Sequence, residues 1–423
     1  MFKHEIKQLK NGLKVLMVPE EECFSVKAMI LTKAGALYEP ESLSGISHFM
    51  EHMCFKGSKK RPSSLALTSA LDQIGGRYNA FTGYEYTGYF AKVDSNHGPL
   101  ALDIIADIFI HANYPKKELE REKGVVIEEI NMYQDDPKLH IYDLWMELLY
   151  GNQPAGRSVA GSKKTVGNMN REKLLDYRDK LYLSDSSLLV LSGNFQSDAI
   201  LKQAEKYFQG IKKGKGYDQT ETKKNQSRPA TLIQNKQTDQ THLVLGFPSY
   251  DYFSPKRYAL TLMNAIFDGG MSGILFQLVR EKLGAAYYVH SEYESFKDSG
   301  FWGVSAGLNN ERIEKVLKAI ISEIKNLKNK HITKKNLENA KQYIIGHVSL
   351  GLDDAHKYAD SLAFKYLLKD TIETPYQYLN KIKKVSLDEV KAVSKELLDF
   401  KKINLAVIGP FKNKKIFDKI IGI

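Results

Sequence analysis

The sequence predicts an α+β fold built as two homologous domains, each a mostly antiparallel sheet covered by helices. Three observations lead there. The composition breaks once, at residues 211–229 (IKKGKGYDQTETKKNQSRP), a polar, lysine-rich stretch almost free of apolar residues, which is the signature of a linker. The two flanking segments repeat the same order of strand-like and helix-like elements. Finally, strands and helices are both abundant but do not alternate as βαβ units, so parallel doubly wound sheets are not expected. The division is therefore 1–212, a linker 213–229, and 230–423.

In the first half the strand-like stretches are 13–18 and 26–31, followed by helix-like 45–56 and 63–75, strand-like 84–93, and a long helical stretch from Ala101. The second half has strand-like 231–234 and 242–247, helix-like 255–267 and 274–283, then strand-like 286–293 and 301–306. One stretch aligns without a gap at an offset of 208, with Leu67, Leu71, Gly76 and Phe81 opposite Leu275, Val279, Gly284 and Val289. In both copies an amphipathic helix stops at glycine, which tolerates the left-handed conformation, and a strand follows. Together these parallels indicate an internal duplication. Further helical stretches follow at 115–134, 137–149 and 171–181, and at 312–327, 334–352, 353–369 and 387–397.

At 423 residues, 43% apolar and 26% charged, the chain can bury a large core in more than one domain. The formal net charge is +11, but the basic residues are scattered over amphipathic stretches and the linker. With no groove-reading motif the excess reads as solubility, and no nucleic-acid partner is expected. Cys23 and Cys54 are the only cysteines, so there is no disulfide framework, and any metal must be held by histidine and carboxylate. No apolar run approaches the length of a bilayer span, and the N-terminus has no apolar signal core. A cytoplasmic chain without a membrane partner is expected.

The chemistry concentrates in His48-Phe49-Met50-Glu51-His52. On a helix, histidines four apart project from one face, one turn apart, close enough to share a metal. Glu51, three after His48, lies on that face and can reach a metal-bound water without ligating the metal. H-x-x-E-H is an established peptidase signature, the reverse of the commoner H-E-x-x-H. A third ligand is available from the helical stretch ELEREKGVVIEEIN, residues 118–131. Glu122 and Glu129 are two turns apart on one face, so one could ligate while the other holds the far nitrogen of a ligating histidine. Local sequence leaves Glu128 and Glu129 equivalent as ligands.

These segments resemble the pitrilysin (insulinase) family of zinc metallopeptidases, which includes insulin-degrading enzymes and the mitochondrial processing peptidases. The likeness is greatest to bacterial homologues of the processing peptidase, and runs from about residue 6 to 410. It rests on GISHFMEHMCFKG, on GGRYNAFTGYEYTGYF and on EREKGVVIEEINMYQDDP. The resemblance implies a fold shared with the processing peptidases and with S-ribosylhomocysteine lyase, and one Zn2+ per chain held by His48, His52 and Glu129. It implies Glu51 as catalytic base and Glu122 as the carboxylate behind a histidine ligand. Asn79, Ala80 and Phe81 would lie on an edge strand to which a peptide substrate adds as a further strand. Arg280 and Tyr287 match an Arg/Tyr pair that donates hydrogen bonds to the developing oxyanion; read locally they are a solvated helix residue and a core tyrosine. Some processing peptidases divide the metal motif and the Arg/Tyr pair between two subunits. This chain carries both, which implies a homodimer in which each pair completes the partner's site. After the second-half glycines the family usually has two serines and an arginine, where this chain has Met271-Ser272-Gly273-Ile274.

The expected activity is thus zinc-dependent endoproteolysis of unfolded peptides or oligopeptides. The alternatives are removal of N-terminal leader sequences in place of general degradation, and a catalytically silent structural subunit. A metal-dependent lyase of the related fold would be shorter, unduplicated and dependent on a cysteine ligand.

Overall fold

A sheet with buried central strands organises each unit of the molecule. The computed structural model describes residues 2–224 and 226–423. Its first sheet comprises β1 (Glu5–Gln8), β2 (Lys14–Pro19), β3 (Ser25–Thr32), β4 (Arg77–Thr82), β5 (Thr87–Asp94) and β6 (Ser187–Gly193), in the order β1-β2-β6-β3-β5-β4. The second comprises β7 (Ala230–Asn235), β8 (Gln240–Pro248), β9 (Ala286–Ser295), β10 (Gly300–Asn309) and β11 (Asn404–Gly409), in the order β7-β11-β8-β10-β9. With β1 set aside, the two orders correspond strand for strand. Each sheet has one parallel pair, β2 with β6 and β7 with β11, and is otherwise antiparallel.

Two compact units result, and they interleave along the chain. One contains the chain up to Asn131, with Ser158–Thr220 and Leu350–Thr374; the other contains Met132–Arg157, Glu221–Ser349 and Pro375–Ile423. Each half of the sequence thus gives one helix to the unit centred on the other half. In the first unit, helix Gly98–His111 lies on β3 and β5 while helix Ala355–Lys369 covers β2, β6 and β3. Tyr358, Ala359, Leu362 and Leu367 of the latter pack with Leu16, Val18, Met29, Leu31, Leu188 and Val190. Covered on both faces, β3 and β6 carry unbroken apolar runs at residues 28–31 and 188–191. In the second unit, helix Pro137–Tyr150 lies on β7, β8 and β11, and the larger core of helices Arg257–Asp268 and Ile313–Asn326 fills the other side.

The repeated helix–glycine–strand segment is present in both units, with one difference. The left-handed glycines are Gly75 (φ 66°) and Gly284 (φ 55°), so the stop in the first copy falls one residue before the Gly76 expected from the alignment. The spacing from Leu275 to Gly284 is correspondingly one residue longer than from Leu67 to Gly75, and Gln277–Lys282 is π-helical. A π turn is the usual way for a helix to absorb a single extra residue.

The polar linker is held rather than loose. In the first unit, Gly216 N–H donates to Ser186 Oγ (2.7 Å), Tyr217 Oη to the Tyr38 carbonyl (3.1 Å) and Thr220 N–H to the Leu37 carbonyl (3.1 Å). In the second, Thr222 N–H donates to Asp298 Oδ2 at 2.7 Å. Among the described residues, no helix is long and apolar enough to cross a membrane.

Candidate active site

The motif occupies helix Ile46–Cys54 of the first unit. Ile46, Phe49, Met50 and Met53 are fully buried, which leaves the opposite stripe to His48, Glu51 and His52. Gly45 precedes the helix at φ 90°, where a Cβ would come within 2.6 Å of the Ala160 carbonyl oxygen, so no other residue fits without backbone movement. The helix N-terminus is anchored by the buried Glu39, whose carboxylate accepts from Gly45 N–H at 2.7 Å and Ser47 N–H at 2.9 Å, the charge favoured at that end of a helix.

His48 and His52 face each other with ring centroids 4.7 Å apart. Helix Lys116–Asp135 brings Glu129 against both: its two oxygens lie 3.6 Å from His48 Nε2 and 3.2 Å from His52 Nε2. Glu128 points away, exposed, next to Asn131. One ligand atom from each of His48, His52 and Glu129 lies within 4.8 Å of the other two, making the group able to hold a metal ion. Two imidazoles and a carboxylate, half-buried, form a donor set suited to zinc with a position left open.

Behind this trio, Glu122 is almost fully buried. Its Oε1 lies 3.0 Å from His52 Nδ1 and its Oε2 2.8 Å from Lys56 Nζ. A carboxylate accepts only, so His52 Nδ1 donates to Glu122, and Nε2, which faces Glu129, is the nitrogen that would ligate a metal. Burial alone would lower the His52 pKa, but Glu122 and Glu129 outweigh it and raise it to about 9. Contacts with His48 and His52 hold Glu129 far below the usual carboxylate range. Burial works to raise Glu122, yet the bonds from His52 and Lys56 leave it lowered overall. His48 Nδ1, in contrast, is buried without a hydrogen-bond partner among the described residues.

Glu51 has its Oε2 2.6 Å from Thr82 Oγ1, at the end of β4. That strand pairs with β5 only and is the edge of its sheet. Asn79 is exposed on it and Ala80 is buried; Ala80 N–H donates to Asn79 Oδ1 at 2.9 Å. The Phe81 ring is partly buried, 5.9 Å from the ring of Phe364. Arg280 and Tyr287 lie in the second unit. Arg280 is exposed on the π turn, its guanidinium 5.2 Å from the Phe276 ring, and Tyr287 is 66% exposed near the start of β9, not a core tyrosine.

Sequence reasoning missed Lys56 and Thr82. Lys56 stands four after His52, a spacing that places it on the same face. Thr82 carried no local signal, because its partner is 31 positions away on another element.

Comparison with known proteins places the chain in a family. Residues 14–163 match the family model described as insulinase (peptidase family M16), and residues 168–344 match the one described as the peptidase M16 inactive domain. An uncharacterized zinc protease of Bacillus subtilis is 34% identical over 96% of this chain and 98% of its own. One from Rickettsia felis is 32% identical over 96% of this chain and 97% of its own. Among solved structures, a protease from Helicobacter pylori superposes with a TM-score of 0.88 at 21% identity, covering 97% of this chain and all of that one. With family models spanning most of its length and zinc-protease relatives aligned end to end, the chain belongs to the insulinase family of peptidases, M16.

Proposed function

We propose that this chain is a zinc-dependent endopeptidase acting on unfolded peptides, with His48, His52 and Glu129 as metal ligands and Glu51 as general base. The observation that carries the reading is the convergence of Glu129, from a second helix, on His48 and His52, which share one helical stripe with Glu51. Zinc bound there would supply Lewis-acid activation, bringing the pKa of water toward neutrality. Glu51 then takes the proton from the attacking water and returns it to the leaving amine. Glu122 orients His52, and Lys56 balances the buried carboxylate. The main chain at Asn79–Phe81 offers the free edge of β4 to an extended peptide, which gains affinity from backbone hydrogen bonds and tolerates varied sequences. Arg280 and Tyr287 supply donors to the carbonyl oxygen as it gains charge, in this reading from a second copy of the chain.

The test is zinc-loaded Glu51→Gln assayed on a mixture of unstructured peptides by mass spectrometry. About one zinc per chain should remain while cleavage falls roughly 10²–10⁴-fold; undiminished cleavage would remove Glu51 from the mechanism. Mixing Glu51→Gln with Arg280→Ala protein should restore part of the activity if the pair acts between copies, and none if it acts within one. A catalytically silent subunit is the second reading, since one matching family model is described as an inactive domain. That match begins at residue 168, beyond the histidine motif and Glu129, and wild-type protein that cuts no peptide in any mixture would favour the silent reading. The cut positions in the same experiment separate leader removal from general degradation.

A further inference from the structure

We infer that Thr82 is a positioning residue for the base: its hydroxyl fixes the Glu51 carboxylate, and so ties the strand that receives the peptide to the group that takes the proton. The inference rests on Glu51 being the base.

The geometry is specific. Thr82 Oγ1 donates to Glu51 Oε2 at 2.6 Å, the short distance of a charge-assisted O–H···O⁻ bond. With Oε2 occupied, Oε1 is the oxygen left to receive a proton from water. Glutamate has several soft torsions, and a base that wanders by about 1 Å can lose on the order of 10²-fold in rate. Threonine limits its own wandering, because branching at Cβ stiffens χ1.

Both partners are also fastened to one segment of chain. Thr82 pairs with Thr87 across the turn, and the buried Thr87 hydroxyl donates to the Ala34 carbonyl at 2.9 Å. The turn residues Gly83 and Tyr84 accept from Ala36 N–H (3.3 Å) and Leu37 N–H (2.8 Å). Two residues further on, Glu39 grips the amides of Gly45 and Ser47 that start the helix carrying Glu51. Residues 34–39 therefore hold the end of β4 from one side and the motif helix from the other. The hydroxyl–carboxylate distance is set by this frame and does not depend on flexible side chains alone. An incidental surface hydroxyl would have water as its partner; this one is half-buried and spends its proton on a carboxylate of another element.

The experiment compares zinc-loaded wild type, Thr82→Val and Thr82→Ser. The isosteric valine keeps the shape and removes the donor, and serine restores it. Thr82→Val is expected to lower kcat about 10–100-fold, with KM and zinc content within twofold of wild type, and Thr82→Ser to recover kcat to within about threefold. In a crystal structure of zinc-loaded Thr82→Val, the Glu51 carboxylate should lose its single position while His48, His52 and Glu129 keep theirs. In a Glu51→Gln background the valine should cost nothing further. Unchanged kcat in Thr82→Val, an undisturbed Glu51 in that crystal structure, or a fall that serine fails to reverse would each overturn the inference. The base reading itself fails separately, if Glu51→Gln alone keeps full activity.

Discussion

Replacing Glu122 by glutamine isolates what the buried carboxylate contributes to metal binding. Glutamine keeps the shape and still offers an oxygen to His52 Nδ1, now 3.0 Å from a carboxylate oxygen, but it removes the charge. Two effects follow, both of one sign. The imidazole becomes a weaker donor to the metal because its Nδ1–H no longer faces an anion, and a negative charge close to the dication disappears. Losing the partner behind a histidine ligand typically costs 10–100-fold in metal affinity, or about 1.4–2.7 kcal/mol. That agrees with the roughly 1.5–3 kcal/mol of a hydrogen bond to a charged group. His48 gives no compensation, since its Nδ1 has no partner among the described residues. Zinc dissociation constants from competition with a fluorescent chelator should therefore rise 10–100-fold in Glu122→Gln. Glu128→Gln, exposed on the same helix, should stay within twofold of wild type. If Glu122→Gln binds zinc as tightly as wild type, the argument that Glu122 orients His52 and strengthens its bond to the metal is wrong.

Two other perturbations follow from the fold. His356, on the helix exchanged into the first unit, is buried between Ser25 Oγ (3.0 Å) and Ser192 Oγ (2.8 Å); burial, with Lys92 and Lys27 nearby, pushes its pKa down to about 4. A histidine that charges more readily unfolded than folded makes the protein lose stability as pH falls from about 6.5 toward 4, so urea unfolding at pH 5 should show about 1–2 kcal/mol less than at pH 7. His356→Gln should flatten that slope, and an unchanged slope would clear His356 of the effect. At Gly35, a Cβ would meet the Gly83 carbonyl oxygen at 2.5 Å and that of Tyr84 at 2.7 Å. Gly35→Ala should destabilise by about 1–3 kcal/mol. A Cβ at Gly83 would have the Tyr86 carbonyl oxygen as its nearest neighbour, at 3.8 Å, so Gly83→Ala should melt close to wild type.

How much of this was legible in the sequence depended on whether the signal was local. The motif helix was readable because a 3.6-residue period separates Ile46, Phe49, Met50 and Met53 from His48, Glu51 and His52. The duplication was readable because the same helix–glycine–strand segment occurs twice. β6 and β11 were not assigned, although each lies inside its sheet. All of their residues are buried, so no alternation marks them, and their parallel partners are far away in sequence. The choice between Glu128 and Glu129 needed the rotation of helix Lys116–Asp135 against the motif helix, which spacing alone does not give. The linker composition was real, yet it marks a surface path and says nothing of where neighbouring helices pack. Amphipathicity shows that Ala355–Lys369 has a buried side but does not name the sheet it covers.

That exchange of helices has a consequence for the half-chains. Residues 1–212 contain every strand of the first sheet and every residue of the proposed metal site, so sequence alone would make them a free-standing domain. Without Ala355–Lys369, however, Leu16, Val18, Met29, Leu31, Leu188 and Val190 lose the cover that Tyr358, Leu362 and Leu367 provide. At roughly 1.5–3 kcal/mol for each large side chain buried, even partial exposure of this face costs on the order of 10 kcal/mol. Whole-domain stability is only about 5–15 kcal/mol. The fragment 1–212 should accordingly show no cooperative thermal transition and bind a hydrophobic dye. Joining residues 350–374 to it through a flexible linker should restore a sharp transition and, with it, zinc binding. If 1–212 alone melts cooperatively with native near-ultraviolet circular dichroism, the exchanged helix is an accessory and not part of the first unit's core.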